Sequence, residues 1–181
     1  MKNSTSLLLL SLSICSMDLN ANTPKQTVKG AQDFLSLTLV DKDIYPSQVK
    51  MIFDDITSSN GDSNSMGGYA KILDFSPLSN CKSKLSYDTQ NLMITISHNR
   101  TSFEDSVASL RPDLRVITRP NGVDWSKLIE VKQEKEKVVV RFDNDKQHTI
   151  VQLANEDLAA RVAFAMKFLQ HHCDQAASTG F

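Results

Sequence analysis

Apolar side chains recur along this chain with two different periods. Val28, Ala31, Phe34 and Leu35 return at helical spacing, and Thr23 followed by Pro24 supplies a cap and a first-turn proline. A helix is expected over residues 24–38, weakened by Gly30. A second helical pattern closes the chain in "LAARVAFAMKFLQHHCD". At 100° per residue, Leu158, Val162, Ala165, Leu169 and His172 fall close to one line. Met166 and Cys173 flank that line on one side, and Phe164 and Phe168 on the other. Lys167, Gln170, His171 and Asp174 lie opposite. The apolar arc spans roughly 200°, wide enough to touch two layers, with a partner surface around Phe164 as the alternative. Arg161 stands inside the arc, either laying its stem on apolar surface or pairing with a buried carboxylate. Asn155 is placed to cap this helix, and Glu156 and Asp157 meet the positive end of its dipole.

Between the helices the period shortens to two. Val49, Met51 and Phe53 alternate with Gln48, Lys50 and Asp54 and predict a strand. "SSNGDSNSMGG" over residues 58–68 predicts a flexible polar loop that lacks the carboxylate spacing of a calcium loop. "YAKILDF" alternates weakly. "CKSKLSY" and "LMITIS", separated by "DTQN", predict a β-hairpin. Ser102 with Asp105 is a candidate cap for a short helix, and a short strand is expected over residues 115–118. "KLIEV", "KVVVRF" and "HTIVQL" predict an antiparallel meander with Val138, Val140 and Phe142 on one face and Val139 and Arg141 on the other. Trp125 reads as a core anchor where the meander begins.

The implied fold class is α+β: an antiparallel sheet of about six or seven strands, packed by a C-terminal amphipathic helix and an N-terminal helix. Strands followed by a closing helix resemble the pleckstrin-homology-like layout of a curved sheet plugged by a helix. The resemblance covers about the last two thirds of the chain, rests on no diagnostic motif and implies fold alone.

Composition adds the compartment. The N-terminal segment has one lysine, a short polar lead and an apolar run over residues 7–14, the layout of a secretory signal peptide. The run is shorter than the roughly 20 residues a membrane span needs. Residues 1–21 are therefore expected to be a signal peptide and residues 22–181 a single α+β domain, periplasmic or secreted, with no transmembrane segment. Lipid anchoring through Cys15 is the alternative, disfavoured because Ile14 is larger than that processing site takes. Once Cys15 leaves, Cys81 and Cys173 remain and are expected to form a disulfide closing a loop of about 90 residues. Hydrophobic residues make up 40% of the chain, enough to build a core. Net charge is −1, so no global field attracts nucleic acid.

The chemistry-bearing residues are sparse. His171, His172, Cys173 and Asp174 carry metal-ligating groups, but adjacent residues on a helix diverge too far to share an ion. They read as a helix terminus, so no metal, cofactor or catalytic residue is assigned. His98 and His148 lack a nucleophile at a telling spacing. Asp54 with Asp55, and Asp143 with Asp145, are adjacent or turn-bound pairs. Asn99 to Thr101 forms an N-glycosylation acceptor pattern. The mature chain has no nucleophile elbow, P-loop, dinucleotide fingerprint, zincin motif or CxxC pair. The expected function is a small exported, non-enzymatic binding or accessory protein, its partner an envelope protein or a small apolar ligand. One alternative is an apolar-ligand or lipid carrier with a cavity between sheet and helix. Another is a hydrolase built on an unrecognised His/Asp site.

Overall fold

A computed structural model of the chain describes residues 26–47, 63–98, 101–143 and 145–174. Helix α1 runs over Val28–Leu39. It opens one turn later than Thr23 suggests: Thr27 is its cap, with Oγ1 accepting from the Gly30 amide at 3.0 Å. Its inner face buries Ala31, Gln32, Leu35 and Leu39. The helix ends where Asp41 takes a left-handed conformation (φ 64°) and donates its amide to the Ile72 carbonyl. Helix α3 (Glu156–Cys173) begins as its sequence indicates, Asn155 Oδ1 accepting from the Leu158 amide at 2.8 Å. Among the described residues one short α-helix lies between them, α2 (Val107–Leu110), with 3₁₀ turns at Pro112–Leu114 and Trp125–Lys127.

The main sheet has seven strands, antiparallel throughout, in the order β11-β12-β13-β1-β3-β6-β9. Its first half is the expected meander of β11 (Leu128–Glu134), β12 (Lys137–Phe142) and β13 (Thr149–Gln152). Its second half holds β3 (Ala70–Asp74), β6 (Ser86–Asp88) and β9 (Val116–Thr118). The three-residue β1 (Asp43–Tyr45) joins the halves, with Ile44 opposite both Val151 and Ala70. The pleckstrin-homology-like layout is not confirmed, since this strand order jumps along the chain where a meander would run in sequence. A second sheet pairs β2 (Ser63–Gly68), β7 (Leu92–His98) and β8 (Thr101–Ser106). A third pairs β4 (Pro77–Ser79), β5 (Lys82–Ser83) and β10 (Val123–Asp124).

Three sequence expectations are corrected here. The hairpin across "DTQN" does not form, although its strands exist. Both edges of β6 are occupied, Tyr87 lying opposite Ile72 and Ile117, so β7 cannot pair with it. Buried Thr89 turns the chain away, its hydroxyl donating to the Leu114 carbonyl at 2.8 Å, and β7 pairs instead with β2 and β8. Residues 63–68 of the expected loop form β2, their backbone satisfied along the edge of β7. The short helix is capped by Ser106 at 3.1 Å, because Ser102 lies within β8. The expected strand around Val49, the cap at Thr23, the segment before Gln26, the Asp54–Asp55 pair and Asn99 lie outside the described residues.

Helix α3 packs across β11, β12 and the 3₁₀ turn Trp125–Lys127, while α1 packs beside α3 and against β4. The core between these layers contains Leu35, Leu39, Ile72, Tyr87, Val138 and Leu169, all without solvent exposure. Trp125 anchors its lower end, 1% exposed and packed edge-on against Phe75. Val138, Val140 and Phe142 share the buried face as the alternation requires. Burying such side chains contributes about 1.5–3 kcal/mol each.

Candidate functional site

The Cys81–Cys173 disulfide is present and closes a separation of 92 residues. It ties the last turn of α3 to the β4–β5 turn, where Cys81 adopts φ 61°, a region side chains other than glycine rarely occupy. A second clamp secures α1 to the same place. Gln32, 2% exposed, donates from Nε2 to the carbonyls of Ser79 (3.1 Å) and Lys82 (2.8 Å). Both long helices are thus fastened to the β4–β5 hairpin, α3 at its last turn and α1 through Gln32 in its second.

Fastened side by side, α1 and α3 leave a groove of about 760 Å³ on their outer face. Gly30, Ala31 and Phe34 wall it from α1, and Ala160, Arg161, Phe164 and Ala165 from α3. Gln26 and Thr27 close one end. Among the described residues no acidic side chain lines it. Phe164 is 62% exposed, a large apolar surface left in water on a helix whose other apolar residues are mostly covered. The Arg161 guanidinium lies 5.3 Å from the centroid of the Phe34 ring. Of the two readings for Arg161, the pairing with a buried carboxylate is not seen among the described residues. Arg161 makes no ion pair with any of them, and it lines the groove.

A second, polar recess of about 410 Å³ is lined by Lys82, Arg119, Lys127, Asp124 and Asp145, among others. Arg119 Nη2 donates to Asp145 Oδ1 at 3.2 Å, and its guanidinium lies 5.4 Å from the centre of the Phe142 ring. Below, burial pushes the Tyr87 hydroxyl well above its ordinary pKa, so it stays protonated. Gly122 (φ 64°) borders this recess, where a Cβ would lie 2.3 Å from the Ser83 carbonyl oxygen. Charges in the recess pair with one another, Arg119 with Asp145 and Lys82 with Asp124 (3.8 Å).

The sequence-derived candidates do not converge. His148 Nε2 lies 3.1 Å from Glu130 Oε2, which also accepts from Arg141 Nε at 3.2 Å, while Lys132 pairs with Glu130 Oε1. The lysine, the histidine and the arginine hold the Glu130 carboxyl down at about 2. Asp145 faces Arg119 instead, and the Asp143 amide donates to the Lys127 carbonyl. His98 ends β7. At the tail, the disulfide consumes the Cys173 sulfur. His172 does not join the buried stripe: it is exposed, stacks on Phe168 at 3.8 Å and holds the Phe168 carbonyl at 2.9 Å through Nδ1. Among the described residues no group of three or more His, Cys, Asp or Glu side chains could share a metal ion.

Sequence reasoning missed the groove's position. The helical wheel placed Phe164 at the margin of the arc, and read Gly30 as a weakness of α1. The signal lay in their combination, since a small residue on one helix opens space beside a large one on the other. Among the described residues no helix is long and apolar enough to cross a membrane. No family model, curated protein or solved structure matches this chain.

Proposed function

We propose that this chain is a small exported, non-catalytic binding module, periplasmic or secreted, whose partner-holding surface is the groove between α1 and α3. The observation that carries this reading is the exposed Phe164 ring beside an Arg161 that pairs with no described carboxylate, on a frame fastened by a disulfide. Apolar surface kept in water on a rigid frame is the signature of recognition. The disulfide supports an oxidising compartment, and with it removal of residues 1–21 as a signal peptide. The hydrolase reading loses support because the Glu130 network occupies His148 without a nucleophile. The carrier reading loses support because the space enclosed between sheet and α3 is about 30 Å³, room for little more than one water molecule.

A photo-crosslinking amino acid at position 164, compared with one at Phe103 on β8, which is also exposed, tests the reading in the native host. Adducts are expected from position 164 and not from 103. Equal labelling from both positions, or none from 164, rejects it.

A further inference from the structure

We infer that the occupant of the α1–α3 groove is an amphipathic helix of another protein, presenting an apolar ridge and a carboxylate that meets Arg161. This inference rests on the groove reading above and names its partner. Each wall carries the same local order, a small residue followed one turn later by a phenyl ring: Gly30 then Phe34, Ala160 then Phe164. Small residues let a third backbone approach to the 8–10 Å typical of packed helices, and the rings on either side form the ridges between which its side chains seat. The groove is open along its length, and an alkyl chain laid there would leave much of its surface wet. A helix covers both walls at once.

The charge selects the partner's sign. Among the described residues Arg161 is the sole charged one lining the groove; it lies over the Phe34 ring and lacks an ion pair with any of them. A carboxylate arriving there forms a charge-assisted, potentially bidentate pair in a partly dry setting. A second copy of this chain docking groove to groove is disfavoured, because it would bring a second Arg161 into the interface and no described acidic side chain from either groove to pair with it.

Two helical peptides of about 18 residues test this. They share a leucine ridge at i, i+3, i+4 and i+7 and differ only in carrying Glu or Lys beside it. Fluorescence anisotropy with the mature chain should show the Glu peptide binding about tenfold tighter. Arg161→Glu should reverse that order, and Ala160→Trp, at an exposed position, should abolish binding of both. Equal affinities, or an order indifferent to Arg161→Glu, overturn the charge assignment. No binding of either peptide to about 1 mM overturns helix docking. Crosslinking from position 164 is scored separately: adducts there without peptide binding keep the groove as a binding surface and remove the helix as its occupant. Sedimentation showing a dimer that Ala160→Trp dissociates assigns the groove to a second copy and overturns the inference.

Discussion

Ser83 has no exposure to solvent, yet its hydroxyl serves two elements. It accepts from Trp125 Nε1 at 3.1 Å and lies 3.4 Å from Gln32 Nε2 on α1. Ser83→Ala leaves the buried indole N–H without its acceptor, which costs about 1–3 kcal/mol. A drop of that size in urea-unfolding free energy is expected, with little change in slope; an unchanged midpoint would show that the indole finds another partner. Glu130 gives a pH signature of its own. Its carboxyl sits at about 2 in the folded chain against an ordinary 4.5, owing to Lys132 first, then His148 and Arg141. A depressed carboxyl stabilises the fold above its unfolded value, and that contribution disappears as pH falls from about 4.5 through 2. The wild-type chain should therefore lose more stability across this acid window than Glu130→Gln does. Carboxyl-carbon NMR checks the premise directly, and a Glu130 midpoint near 4 would refute it. Gln32 shows why such residues escape sequence reading. In "VKGAQDFL" it looks like an ordinary polar position, and its burial depends on carbonyls at Ser79 and Lys82, distant in sequence.

Among the elements, the disulfide has the largest leverage, because it fixes the C-terminal turn of α3 to the hairpin that also receives Gln32. On the chain-entropy model a bridge across 92 residues contributes about 4–5 kcal/mol, an upper figure because the unfolded chain retains structure. Reduction, or paired Cys81→Ser and Cys173→Ser substitution, should lower the unfolding free energy toward that amount. A reduced chain as stable as the oxidised one would mean that the core alone holds the helix end. The two long helices and the C-terminal meander were legible because their signals are local: the period of apolar residues, the Asn155 cap, and turns only a few residues long. The β6–β7 pairing was not. Alternation marks both segments as strands, but it does not record that β3 and β9 had already taken both edges of β6. The groove was half legible for a related reason. Phe164 and Arg161 stood out on the wheel, while the neighbouring wall belongs to a helix more than a hundred residues earlier.

For the molecule as a whole, the decisive feature is the position of β1. Three residues near the start of the chain sit in the middle of the main sheet, Ile44 registered against Val151 on one edge and Ala70 on the other. A polypeptide emerging N-terminus first shows these residues to the solvent long before Thr149–Gln152 exists to receive them. Until that moment the sheet is two fragments with a raw edge apiece, each able to capture a stranger's strand. Assembly therefore waits on almost the entire length of the protein, and the closure of so large a loop slows it. A sheet that cannot close early leaves the chain open to threading until its last strand has been made.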